Sequence, residues 1–394
     1  MKILIIGNGI AGLTAAEEIR KLDQLESIVM ISEEKIHTYY RTKLSHFLAK
    51  DFTNEEVLVH PPEWYEEKNI QVLLNKKVLH INADLHTVEL DDGSTLEYDK
   101  LLLANGSSSF VPPVKGSEQG NVFSLRSLED AKVIQQAAKE SKKAVVVGGG
   151  LLGLESANAL LKLGLDVTVV EFAPRLLPRQ MDEEASLVVK EIVENQGIQL
   201  LLDAQIAEIK GDPVKSCVLK NGDVIDTDMV LFSAGVRSNI QLAKDAGIET
   251  DRAVIVNEYL ETSMKNIYAA GDVAEFKGMS FNIWPISMEQ GKIAGQNMLG
   301  EKQTYEAITP SNMLQILNVK AFSLGDLENS TETRTLKEKD RFIKLFFQDG
   351  VLSGAILIHD ISSAVTLKKA MGTDCTDLLK STQTVPELLD GLKS

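Results

Sequence analysis

A cluster of glycines near the start of the chain has the spacing of a phosphate-binding turn. Gly7, Gly9 and Gly12 form the pattern G-x-G-x-x-G directly after the apolar run Ile3 to Ile6. In such a turn the first glycine permits the sharp bend, the second lets the backbone approach a pyrophosphate, and the third lets helix and strand pack closely. The pattern also occurs in ordinary turns, so the surrounding elements must support it.

The elements around this turn form a complete strand-helix-strand unit. Apolar residues continue at helical spacing from Leu13 to Ile19, and a second apolar run covers Ile28 to Ile31. Glu33 follows about 20 residues after Gly12, where an acceptor for a ribose hydroxyl is expected. The neighbouring Glu34 is the alternative acceptor. The unit predicts a bound dinucleotide whose pyrophosphate lies on the N–H groups at the helix start.

The same design occurs a second time in the chain, beginning near residue 143. The elements of this copy are the strand Ala144 to Val147, the glycines Gly148, Gly150 and Gly153, the helix Leu154 to Leu163, the strand Val167 to Val170, and Glu171 at the ribose position. An internal repeat of this kind bears on the organisation of the whole chain. It predicts two bound dinucleotides.

The acid of the second copy indicates which nicotinamide cofactor is preferred. A carboxylate at Glu171 accepts hydrogen bonds from a 2′-hydroxyl and repels a 2′-phosphate, which favours NADH over NADPH. Arg175 lies just downstream and could tolerate NADPH, although a loop-bracing role is the preferred interpretation of its charge.

The composition excludes several other functions. The chain has 394 residues, 44% of them hydrophobic and 25% charged, with a formal net charge of −16. This charge disfavours non-specific binding to nucleic acid or to an anionic membrane. No apolar run approaches the roughly 20 residues that span a bilayer, and we expect a cytoplasmic protein. The six histidines show no metal spacing, and Cys217 and Cys375 form no C-x-x-C pair.

Three further motifs, in order, give the chain a family resemblance. They are LLLANGSSS at 101–109, LFSAGVRSN at 231–239 and IYAAGDVAEF at 267–276. Together with the two glycine turns, they resemble the two-dinucleotide-binding flavoproteins, the FAD-dependent pyridine nucleotide oxidoreductases. Asn105 stands where that family usually has threonine.

The resemblance implies an α/β fold with two Rossmann-like dinucleotide-binding domains, as in glutathione reductase, and a small α+β C-terminal domain. A discontinuous FAD domain would comprise residues 1–110 and 236–304, with the NAD domain inserted as 111–235. The C-terminal domain would comprise 305–394. Within it, RFIKLFF and GVLSGAILI predict two strands joined at Asp349-Gly350, a hairpin signal.

The resemblance also bears on the path of electrons after the flavin. Disulfide reductases of this family carry a cysteine pair in the first helix, and several oxidases carry one cysteine shortly after the first acid. The corresponding segment here, 37–49, contains no cysteine. Tyr39, Arg41, Leu44 and Ser45 instead fit the Y-x-R-x-x-L-S pattern of the ferredoxin-reductase-like branch, in which many relatives have lysine at the position of His46.

Within that branch the chain most resembles NADH:rubredoxin oxidoreductases and the flavin-containing part of nitrite reductases. The resemblance implies the following FAD-binding residues: Gly7, Gly9, Ala11, Gly12, Glu33, Arg41, Lys43, Val78, Ala104, Gly106, Arg126, Asp272, Val273 and Trp284. For NAD it implies Gly148, Gly150, Gly153, Glu171 and Gly235. Lys43 and Glu155 are the expected catalytic residues, with Glu155 facing the nicotinamide and able to pair with Lys43.

The expected reaction passes hydride from NADH to FAD and then single electrons to a small redox carrier, most plausibly rubredoxin. Two alternatives within enzymes are a ferredoxin reductase and an NADH oxidase that delivers electrons to oxygen. A third is a slow-turnover protein that binds FAD and NADH as a redox sensor or scaffold. The cluster Arg334, Lys337, Lys339, Arg341 and Lys344, with Lys368 and Lys369, is a candidate dock for an acidic carrier. The oligomeric state stays open.

Overall fold

The structure, a computed structural model, describes residues 1–306, 311–339, 341–382 and 384–393. The chain divides into two compact units. The first unit comprises residues 1–43, 51–109 and 235–308, and the second comprises 44–50, 110–234 and 309–394.

The strands are short and follow one another closely along the chain. They are β1 (Lys2–Ile6), β2 (Ser27–Ile31), β3 (Ile70–Leu73), β4 (Val78–Asn82), β5 (Thr87–Leu90), β6 (Thr95–Glu97), β7 (Lys100–Leu103), β8 (Ser107–Ser109), β9 (Val122–Ser124), β10 (Lys143–Val147), β11 (Asp166–Val170), β12 (Gln199–Leu201), β13 (Ile206–Lys210), β14 (Ser216–Leu219), β15 (Val224–Asp226), β16 (Met229–Phe232), β17 (Val236–Ser238), β18 (Val254–Val256), β19 (Ile267–Ala269), β20 (Ala274–Phe276), β21 (Ser311–Ile316), β22 (Val319–Gly325), β23 (Glu332–Glu338), β24 (Arg341–Gln348) and β25 (Val351–Ile358).

The helices differ widely in length. They are α1 (Ile10–Leu22), α2 (Leu44–Leu48), α3 (Asn54–Val57), α4 (Pro62–Glu67), α5 (Leu128–Glu140), α6 (Leu151–Lys162), α7 (Glu183–Asn195), α8 (Gln241–Asp245), α9 (Trp284–Met298), α10 (Ala364–Ala370), α11 (Thr376–Ser381) and α12 (Val385–Gly391). Two 3₁₀ turns cover Arg41–Lys43 and Gly271–Val273. In the described part of the chain, no helix combines the length and the apolar character needed to cross a membrane.

The first unit is built on a parallel sheet with the strand order β19-β7-β1-β2-β3. Its central strand β1 is buried from Ile3 to Ile6, as expected for a parallel strand covered on both faces. The helices α1 and α9 pack closely because α9 presents glycines to α1. A Cβ on Gly291 would lie 2.3 Å from the carbonyl oxygen of Ala11, so only glycine fits there.

The second unit contains a matching parallel sheet with the order β12-β11-β10-β16-β9. In both sheets the strand before the glycine turn pairs with the strand after the helix: Ile6 with Ile31, and Val147 with Val170. The N–H that follows the first strand donates to the end of the second strand in each case, Gly7 to Ile31 and Gly148 to Val170. The strand-helix-strand units predicted from the sequence are therefore present in both units.

The residues after 310 form an antiparallel sheet with the order β21-β22-β25-β24-β23. The helices α10, α11 and α12 contribute to one hydrophobic core with this sheet. The predicted hairpin is confirmed, because Gln348 pairs with Val351 across the turn. Asp349 and Gly350 both have positive φ, 50° and 84°, as a tight two-residue hairpin turn requires. The boundaries of the three predicted domains stay predictions.

Candidate functional site

The first glycine turn has the stereochemistry of a phosphate cradle. Gly7 has a φ of +112°, and a Cβ at this position would lie 2.1 Å from the carbonyl oxygen of Ala104. A Cβ on Gly12 would lie 2.2 Å from the carbonyl oxygen of Gly7. In contrast, a Cβ on Gly9 would meet no described atom within 4 Å. The outer glycines are thus required by packing, whereas the middle one faces open space at the start of α1.

The second turn repeats this geometry in the second unit. Gly148 has a φ of +120°, and its Cβ would lie 2.3 Å from the carbonyl oxygen of Ser233. A Cβ on Gly153 would lie 2.0 Å from the carbonyl oxygen of Gly148, and one on Gly150 would meet no described atom within 4 Å. Both cradles therefore fit a dinucleotide, with an open glycine where the backbone must approach the pyrophosphate.

The acids that follow the two turns occupy different positions. The Glu171 carboxylate accepts hydrogen bonds from the backbone N–H groups of Gly149 and Ala173, so it lies directly over the second glycine turn. The strand registers make Ser32 its counterpart in the first unit, since Ser32 follows Ile31 as Glu171 follows Val170. Glu33 lies one residue further on, is exposed, and lies 3.5 Å from the Lys77 ammonium.

Glu34 is the more firmly held of the two acids after β2. Its carboxylate lies 2.5 Å from Nη2 of Arg41 and accepts a 2.7 Å hydrogen bond from the hydroxyl of Tyr39. The guanidinium of Arg41 also lies over the Tyr39 ring, 4.8 Å from its centroid. Arg41 is thus positioned by neighbours within the first unit, which opposes its interpretation as a freely solvated loop charge.

An aromatic stack lies at the start of α9. The rings of Tyr40 and Trp284 are stacked with centroids 6.2 Å apart, and Nζ of Lys43 lies 4.2 Å from the Tyr40 centroid. Trp284 is partly exposed. Lys43, Tyr40 and Trp284 together offer a cationic and aromatic surface suited to a planar ring system.

Asp272 lies in the 3₁₀ turn beside Gly271 and the buried Val273. Its carboxylate accepts a 2.7 Å hydrogen bond from the hydroxyl of Ser107, and its carbonyl oxygen accepts one from the hydroxyl of Ser238 at 2.6 Å. Gly271 donates its N–H to the side-chain oxygen of Gln290 on α9. The carboxylate is therefore fixed in orientation, as an acceptor for ligand hydroxyls must be.

The loop after β7 is tied to the segment after β17. The side-chain amide of Asn105 donates to the carbonyl of Asn239, and Asn239 donates back from its side chain to the carbonyl of Asn105 and from its backbone N–H to the carbonyl of Gly106. The side-chain oxygen of Asn105 is buried without a hydrogen-bond partner. This leaves an acceptor beside Ala104, whose carbonyl abuts Gly7.

Three further predicted cofactor residues are Val78, Arg126 and Gly235. Val78 is buried at the start of β4, opposite Leu90. Arg126 belongs to the second unit and donates its backbone N–H to the Asp130 carboxylate, just before α5. Gly235, with a φ of +90°, is where the chain returns to the first unit.

Glu155 lies on α6, one turn beyond the second glycine turn. Its carboxylate accepts a 2.6 Å hydrogen bond from the hydroxyl of Ser45, which is buried on α2. Burial raises the pKa of Glu155 to about 6, against the opposing effect of the Ser45 hydrogen bond. The pair borders a cavity of about 370 Å³, which is also lined by His46, Lys50, Asn158, Lys162, Gln315 and Asn318, among others.

The thiols of the chain are placed unfavourably for redox chemistry. Cys217 is buried in β14, and burial raises the pKa of its thiol to about 12. Cys375 is buried just before α11, and burial raises its pKa as well. Because the thiolate is the reactive form, neither residue is equipped to relay electrons.

The basic cluster of the C-terminal sheet differs from the prediction. Lys344 is largely buried, and its ammonium lies 2.6 Å from the Asp182 carboxylate and 2.9 Å from that of Glu184. Arg341 lies 3.3 Å from Asp360, and Arg334 pairs with Glu332. The predicted docking role is therefore wrong for Lys344. The positive charge of Arg334 and Arg341 is partly neutralised by their acidic partners. The exposed remainder consists of Lys337, Lys339, Lys368 and Lys369.

Several of these contacts could not be predicted from the sequence. Ser107 and Gln290 orient the turn that carries Asp272, and Ser45 bonds to Glu155 over a separation of 110 residues. The motif Y-x-R-x-x-L-S singled out Ser45 but not its partner. Asn105 and Asn239 belong to two separate sequence motifs, and neither motif predicts that the two residues form hydrogen bonds with each other.

Two family models match this chain. Residues 1–291 match the family described as pyridine nucleotide-disulphide oxidoreductase, and 310–374 match the rubredoxin NAD+ reductase C-terminal domain. The chain is 33% identical to the NADH-rubredoxin oxidoreductase of Clostridium acetobutylicum, covering 94% of each protein. The crystal structure of NADH:rubredoxin oxidoreductase from this organism superposes with a TM-score of 0.84 at 31% identity, with 99% of each chain covered.

A second relative is considerably longer than this chain. The nitrite reductase [NAD(P)H] of Bacillus subtilis is 36% identical over 92% of this chain, but the match spans only 46% of that protein. The predicted family resemblance and the predicted fold class, an α/β two-dinucleotide-binding flavoprotein with a C-terminal domain, are confirmed. The chain belongs to the pyridine nucleotide-disulphide oxidoreductase family.

Proposed function

We propose that this protein is an FAD-dependent oxidoreductase that takes hydride from NADH and passes single electrons to a small redox carrier, a rubredoxin. The observation that carries the proposal is the pair of equivalent cradles in a chain whose two cysteines are both buried. FAD and NADH are the cofactors of the family to which the chain belongs. FAD, when bound, accepts a hydride and releases its electrons one at a time.

The residues of the first unit are suited to hold FAD. The N–H groups around Gly9 bind the pyrophosphate, and the oriented carboxylate of Asp272 accepts hydrogen bonds from ligand hydroxyls. Arg41, held by Glu34, supplies positive charge, and the stack of Lys43, Tyr40 and Trp284 lines the planar ring. Gly12 lets the start of α1 lie close to the first glycine turn, and Ala11 packs against Gly271 and Gly291.

The residues of the second unit are suited to bind NADH. The turn around Gly150 binds the pyrophosphate, and Glu171 accepts from the ribose hydroxyls, which disfavours a 2′-phosphate. Nη2 of Arg175 lies 3.5 Å from the carbonyl of Pro178 and 3.8 Å from the Glu328 carboxylate, in keeping with the loop-bracing role. Glu155 faces the nicotinamide in this proposal, and its carboxyl changes charge near pH 6.

The carrier is proposed from the relatives. The Clostridium acetobutylicum protein, which is covered almost completely, bears the name NADH-rubredoxin oxidoreductase. The remaining exposed lysines of the C-terminal region, led by Lys337 and Lys339, are the proposed contact for an acidic carrier. The cytoplasmic location predicted from the sequence stays a prediction.

Anaerobic mixing experiments test the proposal. The purified protein should be yellow, and NADH should bleach the flavin absorbance much faster than NADPH does. Reoxidation should then be fastest with rubredoxin, slower with ferredoxin and slowest with oxygen. A colourless protein, or one whose flavin NADH does not bleach, would contradict the proposal. Faster turnover with oxygen would indicate an oxidase, and slow reoxidation by every acceptor would indicate a redox sensor.

A further inference from the structure

Phe172 is an exposed aromatic residue directly beside the second cradle. Its exposed fraction is 73%, and it is the one aromatic among the strongly exposed large hydrophobic residues of the described chain. It follows Glu171 and lies two residues beyond the end of β11. Burying this large apolar ring against a ligand would be favourable.

The backbone that carries this ring is held on both sides. Glu171 accepts from the N–H groups of Gly149 and Ala173, and its own carbonyl accepts from Ala204 at 3.0 Å. The carbonyl of Ala173 accepts from Asp203 at 3.1 Å. The ring is therefore presented to solvent by a fixed segment.

The position of the ring matches one part of a dinucleotide. Ligands of open parallel sheets lie beyond the carboxyl ends of the strands, which here are the ends of β10, β11 and β12. Gly150 leaves room for the pyrophosphate, and Glu171 is placed for the ribose next to it. The adenine follows the ribose, so it lies at the position just beyond Glu171.

We propose that Phe172 is the face on which the adenine ring of NADH stacks, and that it determines much of the affinity for the adenosine half. This inference rests on the proposed use of the second cradle for NADH. Stacking of a base on an aromatic side chain contributes binding energy without hydrogen bonds to the base edges. A phenylalanine can therefore serve here although it offers no polar group.

The first test measures binding without electron transfer. ADP-ribose carries the adenosine half and the pyrophosphate but lacks the nicotinamide, so calorimetric titration of the holoprotein reports on this half alone. We expect F172A to weaken ADP-ribose binding about tenfold, as loss of a stacked base implies. F172W should retain affinity, and its added indole fluorescence should be quenched on binding. The matched control is L187A, which removes another exposed apolar side chain of the second unit.

The second test separates this inference from the proposed function. With NADH, F172A should raise the concentration for half-maximal flavin bleaching about tenfold while the limiting rate stays unchanged. With reduced nicotinamide mononucleotide, which lacks the adenosine half, F172A and the parent protein should behave alike. Unchanged ADP-ribose binding in F172A, or equal losses with both reductants, would overturn the role of Phe172. Failure of NADH to bleach the parent protein would instead refute the proposed function.

Discussion

The two glycine turns of this protein are nearly identical, yet the elements around them differ. In the first unit, α1 is covered by α9, whose Gly291 and Gly295 approach the backbone of Ala11 and Ala15. In the second unit, α6 packs against the short α2, and the face of α6 with Glu155 and Lys162 borders a cavity.

The segments after the second strand of each copy differ as well. The first copy has Ser32 and Glu33 where the second has Glu171 and Phe172, and its turn is braced by the Asn8 side chain, which bonds to Ile36 and Thr38. In the second copy, the Glu171 carboxylate itself braces the turn. The helix of the first cradle is thus packed against a second helix, whereas the turn of the second cradle is braced by the acid that follows its second strand.

The largest expected effect tests what the two copies share. G12A and G153A each place a Cβ within about 2.2 Å of a backbone oxygen. Overpacking against backbone that cannot yield should lower the free energy of unfolding by about 3 kcal/mol in both variants. Thermal and denaturant unfolding of the holoprotein measures this. A neutral effect in one variant would show that the two turns are not equivalent.

The middle glycines test how the copies differ. G9A and G150A add a methyl group where the structure has open space, so neither should lower the unfolding temperature of the apoprotein appreciably. Because the methyl blocks close approach of a pyrophosphate, G9A should lose bound flavin on dilution. G150A should stay yellow but need at least about tenfold more NADH for bleaching. Flavin content and anaerobic titration measure the two effects, and an exchange of the two outcomes would contradict the proposed order of cofactors.

Glu155 makes the stability of the second unit depend on pH. Its folded pKa of about 6 lies above the ordinary value of 4.5, so the folded state binds the extra proton between these values. Its contribution to stability is therefore greatest below pH 4.5 and decreases by about 2 kcal/mol as the pH rises to 6 and above.

Unfolding of the parent protein and of E155Q across pH 4 to 8 measures this contribution. The difference in unfolding free energy between the two proteins should change as the pH rises from 4.5 through about 6 and be flat at higher pH. S45A removes a hydrogen bond to the charged form and should move the transition to higher pH. A transition at the same pH in S45A would argue against the Ser45 contact.

The smallest expected effect concerns the acids of the first copy. E34Q should weaken flavin retention a few-fold, because Glu34 holds Arg41 and Tyr39 in place. E33Q should change it less, since Glu33 is exposed and paired loosely with Lys77. Flavin release on dilution measures both. A larger loss in E33Q would support Glu33 as the ribose acceptor, as the sequence spacing predicts.

The sequence predicted the local elements well for a physical reason. Each strand-helix-strand unit depends on residues within about 30 positions of one another, and apolar runs, helical spacing and glycine turns encode such units directly. The hairpin at Asp349-Gly350 is equally local, because two residues with positive φ define it. The acid of the first copy was less certain, since a spacing of about 20 residues does not distinguish Ser32, Glu33 and Glu34.

The basic cluster of the C-terminal sheet shows what such local reasoning cannot predict. Lys344 lies between buried residues in β24, and its charge predicts a place in a surface patch. The fold brings it instead to Asp182 and Glu184, more than 150 residues away, where three charges share one site. Charge type is a local property of a sequence, whereas the pairing of charges depends on which distant elements meet.

By itself the sequence determined the two strand-helix-strand units with their glycine turns and the lack of a C-x-x-C pair. The tertiary structure alone decided that α9 packs against α1, that Ser107 orients Asp272 from 165 residues away, and that Ser45 contacts Glu155. The physical reason is the range of the interactions: backbone stereochemistry and apolar periodicity act between near neighbours, while enclosure and hydrogen-bond partnership require the path of the whole chain.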